Sequence, residues 1–263
     1  MVRKSLSPNL KPWCAGLIVP VMIITGWEIA VRLRIITTLF LPPPSVVLRA
    51  GSELFVQWGV MAHVWSSISL VLRGFFMGTV AGFLVGAACG LALMAGKVFC
   101  PLLNALRQVP TIAWLPVIAF AVGHEDVGKL SIIALSVFFP VFVNTLHGIT
   151  YVSQEYIEVA RIFQFSRWHS FRRVILPEAL PAIFTGIRYG AGMSWSMILF
   201  AEMFSGRKGL GYLLSRRQEL LVADESIVLL VVIGLLGFMV DYSIICVERR
   251  MTPWSRQMQN SLV

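Results

Sequence analysis

Six long apolar runs divide the chain, at 13–31, within 61–95, and at 101–122, 130–149, 182–204 and 226–247. Each approaches or exceeds the length of about 20 residues that carries a helix across a bilayer core. None alternates apolar and polar positions as a barrel strand does. The pattern predicts an all-α integral membrane protein of about six transmembrane helices, with no separate soluble domain. The run within 61–95 is longer than one crossing, so its first part is expected to project from the membrane and Lys97 to close it. Pro110 and Pro116 interrupt the third run, and Pro140 lies inside the fourth. Between the first two runs, the prolines of LPPPSVVL (41–48) forbid helix, and Ser45 is placed to cap a short helix reaching Trp58. The expected organisation is a first span with an outer loop and short helix over 1–60, a core over 61–250 and a tail over 251–263.

One polar segment, at about 150–181, is too long for a simple turn. Its sequence YIEVARIFQFSRWHSFRRVILPEALP (156–181) combines helical patterning, arginines and large aromatics. Glu158, Val159, Ala160 and Arg161 open one helix, and 168–174 forms a second. Pro177 and Pro181 punctuate the approach to the fifth span. Phe163, Phe165 and Trp168 are anchors of the kind enriched at interface hot spots, which points to a docking surface for a soluble partner. An amphipathic helix lying in the headgroups is the plainer alternative.

Composition agrees with the pattern: 57% of residues are hydrophobic and 13% charged, against about 25% charged in soluble domains. The net charge of +9 reflects Lys and Arg at span ends. That is a topology signal and no nucleic-acid footprint. With the N-terminus inside, the 150–181 segment and the C-terminus also fall inside, and the first run reads as an uncleaved span. Cys14, Cys89, Cys100 and Cys246 show no C-x-x-C spacing and read as buried thiols. His63, His124, His147 and His169 have no metal-ligand spacing. The stretch Gly123–Lys129 (GHEDVGK) imitates a phosphate-binding loop, but Leu130 stands where a Ser or Thr should hold Mg²⁺, and no room remains for a parallel sheet. It is expected to be a tight turn between spans. No nucleophile elbow or paired carboxylates are present, so the chain is read as no enzyme.

Gly74, Gly78, Gly82, Gly86 and Gly90 recur every four residues and form one stripe on the second span. The stripe permits backbone-to-backbone approach of another helix, either inside the chain or in a second copy. Polar groups within the spans are costly and therefore informative. They include Arg73, Asn104, Arg107, Gln108, Asn144, His147, Arg188, Ser194, Ser196, Glu202 and Asp241. Arg107 and Gln108 next to Pro110 suggest unwound backbone lining a cavity, and Ser194 and Ser196 offer a second polar point. With Asn144 and Glu202, these are the candidates for lining a translocation path.

The order E-V-A-R, nine residues, then S-F-R-R-V-I-L-P-E-A-L-P resembles the EAA loop of ABC-importer permeases. Nearly the whole chain is similar to the taurine, alkanesulfonate and nitrate branch of that family. The segments that carry this include HVWSSISLVLRGF, RQVPTIAWLPVIAF, FFPVFVNTLHGI, GIRYGAGMSWSMILFAEM and GLGYLL. The resemblance implies a type I ABC-importer permease fold working as a homodimer in the bacterial inner membrane. It implies a cytoplasmic ATPase dimer that carries ATP and Mg, none of it on this chain, and a periplasmic solute-binding protein. The ATPase-coupling residues would be Glu158, Val159, Ala160, Arg161, Phe163, Gln164, Phe165, Ser166, Arg167 and Trp168. The cargo would be a small anion, with Arg107 and Arg188 supplying positive potential. Gln164 departs from the family pattern, which has Gly there; Gly suits a positive-φ turn, and Gln costs about 1 kcal/mol in it or forces a different turn, which leaves the shape of the coupling turn open. A stand-alone secondary carrier or a channel stays open as the alternative function.

Overall fold

The computed structural model describes residues 12–38, 41–57, 59–123 and 125–252. His124, Trp58, the expected basic N-terminus with Arg3 and Lys4, and the tail beyond Thr252 lie outside the described residues. The described chain is helical: α1 (Pro12–Arg32), α2 (Pro44–Gln57), α3 (Val60–Leu91), α4 (Leu93–Leu106), α5 (Trp114–Val122), α6 (Asp126–Thr150), α7 (Gln154–Ile162), α8 (Arg167–Ser170), α9 (Leu176–Ser205), α10 (Leu210–Glu219) and α11 (Ala223–Met251). All six apolar runs form helices, the second broken at Ala92 and the third between Leu106 and Trp114. Among the described residues, α3, α6 and α11 are each long and apolar enough to cross a membrane. The pair α4 and α5, bent by 79° at 107–110, makes a fourth if taken as one broken span. The 30-residue α9 has the length to cross but is not among them. Its middle carries Arg188, Ser194 and Ser196, which lower its apolar character.

The chain separates into two units. The first holds α1, α2, the end of α10 and the start of α11. Within it, Glu28 on α1 accepts from Arg32 Nε at 2.6 Å, from Ser45 N at 3.1 Å and from Ser45 Oγ at 2.9 Å. Ser45 therefore sits inside α2, which starts at Pro44, and ties it to α1; the expected capping role is replaced by this contact. Proline suits the first helical turn because its missing N–H has no partner there anyway. Arg217 and Glu225 form an ion pair at 2.9 Å across the α10–α11 turn.

The second unit is organised around α6. Its residues Ile132, Ile133, Val137, Val141 and Phe142 are fully buried. All five glycines of the α3 stripe face it. A methyl group built at Gly82 would stand 2.7 Å from the Phe138 carbonyl, and one at Gly86 2.7 Å from the Phe142 carbonyl. Gly74 and Gly90 meet Ile133 and Ile149 in the same way, and Gly78 meets Ala134 and Val137. On the α9 side of α6, Gly186 abuts Asn144 and Pro140, and Gly190 abuts Val137. The stripe is thus used within the chain. Bare glycine surfaces let three backbones approach closely, which is how dispersion packing is gained where lipid offers no hydrophobic drive.

Helix breaks fall where the sequence marks them weakly. The second run ends at Ala92, whose backbone turns extended, and α4 then passes through Lys97. Lys97 is therefore no terminator. Gly96 stands 2.9 Å, measured from a built methyl, from the Cys89 carbonyl, so the absence of a side chain lets α4 turn back on the end of α3. Three helices close with a Schellman motif, in which the residue after the cap takes a left-handed conformation. The residues there are Arg34 (φ 58°), Gln164 (φ 53°) and Leu221 (φ 56°), all non-glycine. In each, one amide reaches back five residues and its predecessor three: Ile35 to Ala30, Phe165 to Ala160, and Val222 to Arg217 carry the longer bond.

Candidate functional site

The polar hairpin begins with α7 and turns at 163–166. Phe165 N donates to the Ala160 carbonyl at 3.0 Å and Gln164 N to the Arg161 carbonyl at 2.9 Å. Ala160 is buried beneath the turn, as the hydrophobic partner of a Schellman motif should be. Ser166 then caps α8, its Oγ accepting from His169 N. Gln164 keeps the turn that the sequence made doubtful and bears the left-handed strain itself. Gln164→Gly is expected to stabilise this turn by roughly 0.5–1 kcal/mol, the relief of strain exceeding glycine's extra unfolded-state entropy. Slower hydrogen exchange at the Phe165 amide is the measurement; faster exchange would contradict it.

The expected second helix does not stop before the fifth span. From Arg167 onward the backbone stays helical through α8, a π-helical segment (Phe171–Ile175) and α9. In the π segment Leu176 N–H reaches the Phe171 carbonyl, five residues back. The wider turn makes room for Pro177, whose ring would crowd the carbonyl four residues before it. Pro177 and Pro181 thus sit inside one continuous rod. At 1.5 Å per residue it runs on the order of 55–60 Å from Arg167 to Ser205.

The hairpin surface is open. Glu158, Val159, Arg161, Phe163, Gln164, Ser166, Arg167 and Trp168 are exposed, Phe165 is half-buried, and Ala160 is buried. Phe163 and Trp168 are 69% and 65% exposed. Beside them Tyr156, Val159, Arg173, Val174, Pro177 and Glu178 line an open groove of about 350 Å³.

The path candidates do not converge. Arg107 and Gln108 are exposed at the bend between α4 and α5. Ser196 is exposed on α9, where its hydroxyl donates to the Gly192 carbonyl. Asn144 donates to the Pro140 carbonyl of its own helix at 2.8 Å. Ser194 is fully buried and donates to the Ala191 carbonyl. Glu202 is also fully buried, and its carboxylate has a local task that sequence reading missed. It accepts from Ser67 Oγ at 2.7 and 2.9 Å and from Gly211 N at 2.9 Å. Leu210 N donates to the same Ser67 Oγ, and Gly209 N donates to His63 Nδ1 at 3.0 Å. Together Ser67, Glu202 and His63 satisfy the first amides of α10, which a helix N-terminus leaves without internal partners. Gly209 has φ +114° and lies directly against the carboxylate, so any side chain there would collide with it. The only local hint was the pair of glycines in GLGYLL. Ser194 and Glu202 are thus enclosed, with their polar atoms hydrogen-bonded within the chain.

The nucleotide-loop look-alike is a turn between helices. Gly123 (φ 95°) ends α5, a helix where a phosphate loop needs a strand, and Asp126 starts α6.

Among the described residues, helices able to cross a membrane and an exposed polar hairpin that runs on helically into α9 define a multi-pass membrane protein. The family model for "Binding-protein-dependent transport system inner membrane component" matches residues 78–253, and the chain belongs to that family. SsuC of Bacillus subtilis (strain 168), whose name as an aliphatic sulfonates transport permease is itself provisional, is 31% identical over 96% of this chain and 92% of its own length. The taurine transport system permease protein TauC of Escherichia coli (strain K12) is 32% identical over 90% of this chain and 88% of its own. The nitrate import permease protein NrtB of Leptolyngbya laminosa is 29% identical over 78% and 72%. A chain of the inward-facing MetNI methionine ABC transporter shares the fold, with TM-score 0.63 and 18% identity over 74% of this chain and 97% of that one. The protein is a multi-pass permease subunit of the ABC-importer class.

Proposed function

We propose that this chain is the membrane half of an ATP-driven importer for small sulfonate-like anions. In this reading it works as a homodimer in the inner membrane, with the hairpin and both termini cytoplasmic. A partner ATPase dimer binds ATP and Mg, and a periplasmic solute-binding protein delivers cargo. The permease does no chemistry; its two conformations differ in affinity for these partners, and that difference converts nucleotide-driven closure into opening of the path. The observation that carries the reading is the continuity of the hairpin with α9. A docking surface joined by unbroken helix to a segment longer than the bilayer core is thick can pass displacement into the membrane. Exposed Phe163 and Trp168 supply the apolar anchors, and Glu158 and Arg161 the flanking charges. The cargo class rests on the taurine, sulfonate and nitrate relatives.

Reconstitution with the ATPase and binding protein tests it. Glu158→Lys and Arg161→Glu are expected to cut ATP-dependent taurine uptake at least fivefold while membrane insertion and oligomeric state are retained. Trp168→Ala should weaken capture of the ATPase by about 2 kcal/mol, as loss of an interface hot spot does. Normal uptake in all three variants would remove the docking role. Uptake without ATP would favour a secondary carrier.

A further inference from the structure

Arg188 on α9 and Asp241 on α11 form a bidentate pair, with Nε to Oδ1 at 2.9 Å and Nη2 to Oδ2 at 3.2 Å. Both lie well inside their helices, yet their side chains are 48% and 44% exposed. Charged groups at that depth do not face lipid; they turn to a bundle interior or a water-filled cavity. The surface around them agrees. Thr185, Arg188, Tyr189, Gly192 and Ser196 are all exposed and fall along one face of α9 at helical spacing. Nothing lies within 4 Å of a methyl group built at Gly192, so the stripe has open space in front of it. Ser67 and Glu202 belong to the α10 clasp, so this stripe is the polar face of α9 left unassigned by the fold.

We propose that the Arg188 guanidinium is an anion-recognition site within the permease itself, with Asp241 as its resident counter-ion. The inference rests on the sulfonate-importer reading above and gives its cargo a binding group on this chain. A planar fork with a fixed charge accepts two oxygens of a carboxylate, sulfonate or nitrate side by side. Asp241 occupies that fork when no cargo is present. It keeps the unloaded charge compensated and makes the site weak, as a site that must also release its cargo needs to be. Arg188 carries five N–H groups, and Asp241 uses two of its nitrogens, so an anion can share the fork or replace the carboxylate on it.

The test is uptake of taurine and of nitrate by the reconstituted complex at saturating binding protein, with basal ATPase activity as the control for assembly. Arg188→Gln is expected to lower uptake at least tenfold with basal ATPase within twofold of wild type. Arg188→Lys should fall between, since an ammonium lacks the fork. Asp241→Asn should be milder than Arg188→Gln. The deciding variant is Arg188→Gln combined with Asp241→Asn. An anion site predicts that uptake stays as low as in Arg188→Gln alone. A pair that only neutralises itself predicts equal damage from either single change and recovery in the double variant, and recovery to half of wild-type uptake or more overturns the proposal. A wild-type complex that moves neither anion removes the cargo reading on which the site depends. A wild-type complex that moves them as well as the double variant does removes only the site.

Discussion

Gly82→Leu is expected to leave no folded permease in the membrane, and Gly82→Ala to destabilise it by about 1–3 kcal/mol, the usual cost of overpacking a tight core. The physical reason is what the new atoms meet. A Cβ at this position stands 2.7 Å from the Phe138 carbonyl oxygen, 3.0 Å from Val141 Cβ and 3.1 Å from the Phe142 amide nitrogen. Two of those three neighbours are helix backbone of α6, which cannot swing aside as a flexible side chain would. Separation of α3 from α6 is the only relief, and it strips contacts along the whole stripe, because Gly74, Gly78, Gly86 and Gly90 share the same interface. Alanine's better intrinsic helix propensity, about 1 kcal/mol over glycine, works against the loss but does not cancel the clash. Gly234 on α11 is the matched control: nothing lies within 4 Å of a methyl built there, so Gly234→Ala should be neutral or slightly stabilising. Detergent-solubilised protein followed by size-exclusion after stepwise heating reads both. Equal midpoints for Gly82→Ala and Gly234→Ala would falsify the packing account.

The same stripe shows what a sequence makes legible. A four-residue glycine period can be read directly, because helix geometry turns spacing into a face. Which helix meets that face cannot be read, because Gly82 and Phe138 are joined only by the fold. The hairpin was legible for a similar reason. Its helix, turn and cap signals are local, and even the anomaly at Gln164 was visible as the wrong residue type for a positive-φ position. The break at Ala92 was not, since alanine is a strong helix former and what permits the turn is the bare backbone of Gly96 four residues on. The continuous helical stretch from Arg167 to Ser205 was misjudged because prolines normally end a helix; here a π-helical segment makes room for Pro177, and Pro181 is carried inside α9. Arg188 and Asp241 were each conspicuous as charges within spans, but their partnership joins helices far apart in the chain. Polar residues in apolar runs announce that something must compensate them, and only tertiary structure says what.

Glu202 is the clearest case of such hidden compensation. Glu202→Ala is expected to cost about 3–5 kcal/mol, the scale for removing one member of a buried charged network. Four observations set the size. The side chain is fully enclosed, so water cannot replace it. Its loss leaves Gly211 N–H without its acceptor and Ser67 Oγ without the carboxylate it donates to. Lys129, itself buried on α6, loses a nearby negative charge that attracts it. Finally, the N-terminus of α10 loses an anion where the helix dipole favours one. Glu202→Gln should be milder, about 1–2 kcal/mol, because its carbonyl can still accept from Gly211 while its amide group places donors against other donors. Ser67→Ala should cost about 1–3 kcal/mol by leaving Leu210 N–H unpaired. Because Ser67 and Glu202 act on one set of atoms, their effects should fall short of additive, with a coupling of about 0.5–3 kcal/mol in a double-mutant cycle of thermal unfolding. Strict additivity would mean that the two side chains stabilise α10 independently. A near-silent Glu202→Ala would place the carboxylate's role elsewhere, in transport itself. The clasp stands at the far end of α9 from the hairpin, so these losses should appear as early unfolding with capture of the ATPase intact at temperatures below the transition. That separation distinguishes a support of the helix end from a part of the docking surface.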